Sequence, residues 1–415
     1  MHCGHEYSAS QMFEGCPSCR TEEFAANLQV RYDRRKLAKA VTRRAMERER
    51  AAGLRRYLPL LPVDTAYPFE TLGAGATPLV RCAGLGQTLG LGDVYVKDES
   101  RNPTGSEKDR RACVGGNVAM RFGARGLVAA GGNMGAAAAA AGTRYGLPVV
   151  SVETTYESPM ALLQVRAYGG LSVVGRTYKD RCALMRQCVD TLGFQPLSSY
   201  TPAPTGDPYS QEGEKTVAYE ICEDLGWKAP DKVFVPVGQG FALSGIWAGF
   251  RDFYDLGLID RLPAMIGVES SGGSAFCETR LDDPACPKNG NPQHSSVARH
   301  ACSSRAAYKG IKAITDSQGF SMVVTDAEIM SAAIALAQRD GVFPSTTSAT
   351  TIAALTKLRN REAVRDSDVV VCVITATGFK DADFIEGAVY RMPEPIPPDL
   401  TLLRRLATDI GMALD

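Results

Sequence analysis

Short apolar runs rich in β-branched residues alternate with longer stretches of helical periodicity beyond Pro59. The runs at residues 94–96, 127–129, 149–152, 233–235 and 369–374 are almost continuously hydrophobic, which is typical of strands buried on both faces. A helix is predicted between Thr325 and Arg339, because Thr325 and Glu328 form a capping-box pattern and Gly341 follows the last turn. The alternation predicts an α/β protein with parallel sheets covered by helices on both faces.

A basic segment precedes this alternating region. Residues 31–56 carry eleven Lys or Arg against three acidic residues, without Pro, so one or two exposed helices are predicted. Nucleic-acid binding is one interpretation of this charge. A solvated helical connector is the favoured one, because aromatic residues do not interleave the charges and the rest of the chain is not basic.

Composition narrows the functional classes. The 415 residues are 45% hydrophobic and 22% charged with a formal net charge of +0, so a large core is expected and a general attraction to nucleic acid or membrane is not. No apolar run approaches the roughly 20 residues of a membrane span, and MHCGHEYSAS lacks a signal-peptide stretch. We therefore expect a cytoplasmic protein, in which most of the twelve cysteines are reduced.

The N-terminal segment carries a zinc-ribbon-like pattern. Cys3, His5, Cys16 and Cys19 fall in a turn-rich stretch ending in GCPSC, and three thiolates with one imidazole suit tetrahedral zinc. The first pair lacks the usual C-x-x-C spacing, so His2 or His5 has to serve as the fourth ligand. The alternative is a ribbon without metal, in which the cysteines only pack.

An irregular segment at residues 272–310 interrupts the alternation. It contains potential metal ligands without the close spacing of a metal site, namely Cys277, Cys286, His294, His300 and Cys302. We expect a long ordered loop that serves as a lid or a subunit contact.

Several common catalytic devices are missing from the sequence. The four histidines lie in the N-terminal segment or in the irregular loop, so histidine-based triad hydrolysis is not expected. No G-x-x-x-x-G-K-[ST] loop and no G-x-G-x-x-G after the first strand is present. The chemistry is therefore sought at the carboxyl ends of the predicted strands, where parallel sheets bind ligands.

One strand end carries a lysine. The turn Asn-Pro-Thr-Gly-Ser leads into a helix predicted to begin near Lys108. A lysine at such a cleft can be desolvated, lose its proton and attack an aldehyde to form an imine. Taken alone, the lysine is better explained as an exposed salt-bridging residue.

Three further strand ends carry small or polar residues. They are the loop 130–135 with Asn133, the glycine-containing turn 235–245, and the segment 374–381 with Thr375. The N–H groups of the second segment suit a phosphate. Each segment alone is no more specific than an ordinary strand-to-helix turn.

Together and in this order, the four segments resemble the fold type II pyridoxal-phosphate (PLP) enzymes, and the threonine synthase family most closely. The family's NPTGSFKDR stretch is similar to NPTGSEKDR, with Lys108 at the cofactor lysine, and its S-G-N loop to Gly131-Gly132-Asn133. Its T-G-x-G-L-K-D ending resembles the segment from Thr375 to Asp381. The resemblance covers nearly the whole chain, including the N-terminal ribbon of some threonine synthases and cysteate synthases.

The resemblance implies a tryptophan synthase β-like fold and a PLP cofactor held by Lys108 as a Schiff base. Asn133 then orients the ring, and the hydroxyl of Thr375 meets the pyridine nitrogen. The phosphate group is bound by the turn Gly238, Gln239, Gly240, Phe241, Ala242 and Leu243. The family also implies a homodimer and a small amino-acid substrate. Structural zinc is suggested by the ribbon pattern itself and not by the resemblance.

The same resemblance suggests domain boundaries. We predict a ribbon-like segment at 1–32 and a basic connector at 33–60. A large PLP-binding domain follows from 61–110 and 200–415, and a small domain from 111–199.

The substrate is less well specified, because the sequence departs from the family where substrate is held. Ala130 and Gly131 replace serines, Glu107 replaces an apolar residue, and Arg111 stands where glycine is common. We expect elimination or replacement on an amino acid with a β- or γ-leaving group. The resemblance implies phosphate, the usual leaving group of the family. The alternatives are cysteate synthase-like replacement on O-phosphoserine, a specialised biosynthetic lyase, and a non-catalytic scaffold that binds a partner.

Overall fold

The computed structural model describes residues 1–21, 24–155, 157–278, 296–389, 394–410, 412 and 414. Its strands are β1 (Leu79–Arg81), β2 (Asp93–Asp98), β3 (Gly126–Ala130), β4 (Val149–Glu153), β5 (Leu171–Val174), β6 (Phe194–Pro196), β7 (Lys232–Pro236), β8 (Ala264–Ser270), β9 (Phe320–Val324) and β10 (Val369–Ile374).

The helices of the first half are α1 (Arg34–Ala40), α2 (Arg43–Arg48), α3 (Ala83–Leu89), α4 (Lys108–Arg121), α5 (Gly132–Tyr145), α6 (Pro159–Ala167) and α7 (Tyr178–Asp190). Those of the second half are α8 (Thr216–Asp224), α9 (Phe241–Asp255), α10 (Ala275–Glu278), α11 (Tyr308–Asp316), α12 (Asp326–Asp340), α13 (Thr346–Arg359), α14 (Ala382–Val389) and α15 (Leu400–Asp409). Within the described ranges, none combines the length and the apolar character needed to cross a membrane.

The strands form two sheets. The larger has the order β1-β2-β10-β7-β8-β9, in which β1 pairs antiparallel with β2 and the other pairs are parallel. The smaller has the order β5-β4-β3-β6 and is wholly parallel. In the large sheet β8 and β9 lie on one side of β7 and β10 lies on the other, so the strand order reverses between β7 and β10. A crevice opens at such a reversal, beyond the carboxyl ends of the strands.

Both faces of the large sheet are covered, which explains the unbroken hydrophobic run in β10. Val371 and Val373 pack in a core with α8 and α9, whereas Val370, Cys372 and Ile374 pack in the opposite core with α12 and α13. Successive side chains of a strand point to opposite faces. A strand buried on both sides therefore needs an apolar residue at every position.

The predicted regular elements are confirmed. Each of the five predicted strands lies within an observed strand, and α12 has Thr325 as N-cap, a complete capping box with Glu328, and Gly341 in the left-handed conformation (φ 69°) at its end. The basic segment forms α1 and α2, in which Met46 is the buried residue.

The irregular loop is described only in part. Cys286 and His294 lie outside the described residues, whereas Cys277, His300 and Cys302 lie on the flanks of this stretch. The described flanks contain the short helix α10 and a single turn at Arg299–Ala301.

A buried ion cluster joins α4, the helix that begins at Lys108, to the end of β2 and to α8. The Arg110 guanidinium in α4 is fully buried and contacts Glu99, just after β2, at 2.7 and 2.8 Å, and Glu220 of α8 at 2.7 Å through both Nη atoms. Lys97 Nζ, also fully buried, lies 2.9 Å from Glu220 Oε2. Two cations and two carboxylates thus balance each other away from water, which such groups require.

Replacing Arg110 with Met is expected to lower the free energy of unfolding by about 3–5 kcal/mol, because Glu99 and Glu220 lose their main buried counter-ion. Urea denaturation measures the change. Arg121→Met is the matched control on the same helix, since Arg121 is 38% exposed and lies 3.9 Å from Asp64. The control is expected to cost less than about 1 kcal/mol. Equal losses in the two variants would contradict the assignment.

The same cluster predicts a pH dependence of stability. Burial raises the pKa of Glu220, but Arg110 and Lys97 outweigh burial and lower this pKa to about 2, against about 4.3 in the unfolded chain. A depressed folded pKa stabilises the fold above the unfolded value, and this stabilisation is lost as pH falls from about 4 towards about 2. Urea titrations between pH 7 and 3 are expected to give a shallower acid loss in Glu220→Gln than in the wild type. Parallel pH curves would count against this role.

Candidate active site

Strand ends of both sheets face one cavity of about 180 Å³. Its lining includes most of the residues predicted from sequence: Lys108, Asn133, Gly238, Gln239, Gly240, Phe241, Ala242 and Thr375. Leu243 is not in this lining. It is fully buried in the core between α9 and the large sheet, because it lies on the sheet-facing side of the helix.

Lys108 is the first residue of α4 and lies between two acidic side chains. Its Nζ is 2.7 Å from Glu107 Oε1 and 3.8 Å from Glu214 Oε1, and all three side chains are largely buried. Burial lowers the pKa of Lys108, but the carboxylates of Glu107 and Glu214 outweigh it and raise this pKa. Burial alone therefore does not remove the lysine proton in the free cavity, because Glu107 and Glu214 favour the ammonium form. Attack on an aldehyde by the neutral amine stays a prediction.

The glycine turn after β7 leads directly into α9. Gly240 is the N-cap residue with φ 85°, a conformation that favours glycine. A Cβ at Gly240 would lie 2.3 Å from Phe276 Cζ, and one at Gly238 would lie 2.6 Å from the carbonyl oxygen of His300. The turn therefore brings bare backbone to the cavity. The first N–H groups of α9, which lack partners within the helix, form a suitable site for an anion.

The loop with Asn133 is fixed by a buried carboxylate that the sequence did not reveal. Glu153, at the end of β4, accepts hydrogen bonds from the N–H of Gly132 (3.0 Å) and from Ser151 Oγ (2.6 Å). A Cβ at Gly131 would lie 1.6 Å from Glu153 Oε2. The Glu153 carboxylate occupies the space where a serine side chain would begin, which explains why residue 131 is glycine.

A small hydroxyl network surrounds Thr375. Thr375 Oγ1 is 3.1 Å from Ser348 Oγ, which in turn is 2.7 Å from Ser345 Oγ. Thr347 also lines the cavity, and its Oγ1 is buried without a hydrogen-bond partner in the described part of the chain. An unsatisfied buried hydroxyl facing a cavity is available for a ligand.

His300 reaches the cavity from the irregular loop, although sequence reasoning placed it outside the catalytic region. Its Nε2 is 3.7 Å from Glu157 Oε2, and its Cε1 would be 3.1 Å from a Cβ at Gly132. No spacing signal in the sequence connects His300 with these residues, because they come from different turns.

A wider chamber of about 600 Å³ adjoins the cavity and shares Lys108, Gly131 and Phe241 with it. Its lining is rich in cations, namely Arg111, Lys179, Arg181, Arg299 and Arg305. Glu157 is the carboxylate among its described lining residues. Arg111 is 3% exposed, and its Nη2 is buried without a hydrogen-bond partner in the described chain. The chamber therefore favours anionic groups.

The N-terminal cysteines come together. The Sγ atoms of Cys3, Cys16 and Cys19 lie within 4.8 Å of one another. His5 is outside this group, but its Nδ1 is 3.3 Å from Cys3 Sγ. Among the described residues, this is the one cluster of at least three such side chains with metal-binding geometry.

The donor set of the cavity fits pyridoxal phosphate. An amine suits the aldehyde, the glycine turn suits the phosphate, and the hydroxyls and the amide suit the polar atoms of the ring. Gly131, Gly238 and Gly240 all line the cavity, so bare backbone borders the space that the cofactor would occupy.

Comparison with known proteins agrees with this fit. Residues 70–376 match the family described as pyridoxal-phosphate dependent enzyme. The chain is 33% identical to the threonine synthase of Methanocaldococcus jannaschii, over 98% of each chain. It is 32% identical to that of Methanosarcina acetivorans, over 92% of this chain and 91% of the relative.

Solved structures share the fold. Threonine deaminase isoform 2 from Solanum lycopersicum has a TM-score of 0.65 at 20% identity, covering 90% of this chain and 99% of its own. Serine racemase from Dictyostelium discoideum has a TM-score of 0.61 at 20% identity, covering 73% and 92%. The predicted fold type II architecture is confirmed. The chain belongs to the pyridoxal-phosphate dependent enzymes and is of the threonine synthase type.

Proposed function

We propose that this enzyme removes or replaces a phosphate group on the β- or γ-carbon of an amino acid, with PLP held by Lys108. The observation that carries the proposal is the meeting of Lys108, Asn133, the 238–240 turn and Thr375 in one cavity. Bound PLP supplies an electron sink for the carbanion formed at the α-carbon.

The side chains have separate roles in this proposal. Lys108 holds the cofactor and, once released, takes the α-proton from the substrate. Asn133 orients the ring, and the N–H groups of the 238–240 turn bind the phosphate of the cofactor. Thr375 offers a hydroxyl to the pyridine nitrogen. Because a hydroxyl stabilises a protonated pyridine far less than a carboxylate does, elimination or replacement is favoured over transamination.

The cation-rich chamber supports an anionic leaving group. Arg111, Arg181 and Arg299 each have a buried guanidinium nitrogen without a hydrogen-bond partner in the described residues, and guanidinium groups suit phosphate geometry. The related proteins named threonine synthase make O-phosphohomoserine the first substrate to test.

O-phosphoserine is the second substrate, as in a cysteate synthase-like replacement by sulfite. The observation that favours this alternative, or another specialised lyase activity, is the altered loop at Ala130 and Gly131. Glu153 occupies the space of a side chain at 131, so the hydroxyls of the family's loop cannot be restored without moving this carboxylate.

Lys108→Ala is expected to abolish both the visible absorbance of the lysine-bound cofactor and the release of phosphate. Lys357→Ala is the matched control, because Lys357 pairs with Glu328 away from the cavity lining. Absorbance spectra and phosphate assays with O-phosphohomoserine and O-phosphoserine, with and without sulfite, measure the two effects.

The outcomes separate the alternatives. Phosphate release from one substrate identifies the leaving group and the carbon attacked. Visible absorbance without release from either substrate would reject phosphate as the leaving group. A colourless wild-type protein that ignores added PLP would reject Lys108 as the cofactor lysine and would favour the non-catalytic scaffold.

We also propose that the N-terminal segment holds one structural zinc ion through Cys3, Cys16, Cys19 and His5. The clustering of the three thiols and the nearby His5 imidazole supports this ligand set, and structural zinc sites use four such ligands.

Metal analysis of the purified protein is expected to give one zinc per chain, and Cys19→Ser is expected to lose it. Cys182→Ser, in α7, is the control that keeps the metal. Absence of zinc in the wild type, or equal content in the two variants, would leave the cysteines as packing residues.

Three further predictions belong to this proposal. The boundaries at 1–32, 33–60, 61–110 with 200–415, and 111–199 fit the sheets, since the four-stranded sheet takes its strands from between Gly126 and Pro196. The homodimer follows from the family resemblance. The cytoplasmic location stays a prediction.

A further inference from the structure

A buried carboxylate stands next to the lysine in the catalytic cavity. Glu107 Oε1 is 2.7 Å from Lys108 Nζ, and the Glu107 side chain is 7% exposed. Both residues line the cavity with Thr375, and the N–H of Glu107 donates to the carbonyl oxygen of Thr375 (2.9 Å). The main chain at residue 107 is therefore held against the residue that follows β10.

Folding alone does not explain this carboxylate. The resembled NPTGSFKDR pattern has an apolar residue at position 107, so the turn forms without an acid there. Moving a carboxylate out of water is unfavourable before its interactions are counted, and a buried ion pair is seldom more stabilising than apolar packing. Glutamate at this position therefore indicates a role at the lysine.

The other carboxylates near the pair lie farther from the lysine nitrogen or are bound by an arginine. Glu214 lies 3.8 Å from Lys108 Nζ, but it is also 4.0 Å from Arg111 Nη1. Glu99 is bound by Arg110 at 2.7 Å. Glu107 is thus the carboxylate at hydrogen-bond distance from the lysine.

A second group of charges approaches from the segment after β10. Lys380 is 5% exposed, and its Nζ is buried without a hydrogen-bond partner in the described residues. Burial lowers the pKa of Lys380 to about 8, against the opposing effect of Asp109, Glu107 and Asp381. Lys380 is a cation below about pH 8 and neutral above it, so it supplies no negative charge beside Lys108 at any pH.

We propose that Glu107 is a positioning residue that acts through Lys108, by orienting the lysine nitrogen and holding a proton beside it. The inference rests on the proposed role of Lys108. While Lys108 holds the cofactor, an anion at 2.7 Å favours the protonated nitrogen and so the attack of an incoming amine. When the lysine is released as an ammonium group, one N–H bond breaks and one O–H bond forms on Glu107. The products are a neutral amine and a neutral carboxyl group, and the amine is then free to take the α-proton.

The test is a pH titration of the visible absorbance of the purified, PLP-loaded protein, which reports the proton on the lysine nitrogen independently of turnover. In Glu107→Gln, the pH at which this proton is lost is expected to fall by about one to three units, because the adjacent negative charge is gone. Glu107→Leu, with an apolar residue as in the family pattern, provides a second variant and is expected to shift in the same direction.

Three controls define the effect. Glu107→Asp keeps the charge. It is expected to keep about half or more of the difference in pH midpoint between the wild type and Glu107→Gln. Glu214→Gln is expected to shift the midpoint less than Glu107→Gln, because Coulomb energy falls with distance and Arg111 shares that charge. Glu212→Gln removes a neighbouring buried carboxylate that pairs with Lys215 at 2.7 Å, and it is expected to leave the midpoint unchanged.

A midpoint in Glu107→Gln and Glu107→Leu equal to that of the wild type overturns the proposal. The same holds if Glu214→Gln produces the larger shift. If the visible band of the wild type does not titrate up to pH 10, the bands of Glu107→Gln and Glu107→Leu are expected to titrate below that pH. Variant bands that also fail to titrate overturn the proposal. A wild-type protein without visible absorbance rejects instead the proposed role of Lys108.

Discussion

The buried pairing of Arg110 with Glu99 and Glu220 is the constraint on which the catalytic region depends. The guanidinium joins the first turn of α4 to the end of β2 and to α8, and it has no access to water. A charge in such a place tolerates little movement, because each lost contact leaves an unpaired ion in a medium of low polarity. Lys108 and Glu107 lie within one turn of Arg110, so their positions are fixed by the same cluster.

The topology of the two sheets is the second constraint on the catalytic region. The strand order reverses between β7 and β10, and the segments after these strands carry the glycine turn and Thr375. The smaller sheet contributes the loop after β3 with Asn133. Segments far apart in sequence therefore meet because the carboxyl ends of parallel strands face the same cleft.

Much of this arrangement could be predicted from the sequence. Unbroken hydrophobic runs identified the doubly covered strands, and the capping box together with Gly341 identified the two ends of α12. The polar strand ends identified most of the cavity lining. These features depend on residues that are close together in the sequence, so they can be predicted from the sequence alone.

The errors concern contacts between distant segments. The side chain of Leu243, predicted as part of the phosphate turn, packs in the core, and only its N–H group is left for the predicted role. His300 and Glu153 were missed, because nothing local relates them to the loop at 131–133. Glu107, the neighbour of Lys108 in sequence, makes the larger contribution that raises the pKa of this lysine. The further contribution of Glu214 could not be predicted, since it comes from a segment about one hundred residues further along the chain. Long-range electrostatics requires the fold before it can be evaluated.

The contact between Glu153 and the loop at 131 has a consequence for how such an enzyme diverges. A side chain at 131 begins where the Glu153 carboxylate lies, 1.6 Å from Oε2, so the two positions are epistatic. Serine at 131 is compatible with a smaller residue at 153, whereas glutamate at 153 is compatible with glycine at 131. A single-step reversion at either position gives a clash or an unsupported loop. A hydroxyl-bearing loop at 131 therefore requires the Glu153 side chain to move or to be replaced as well.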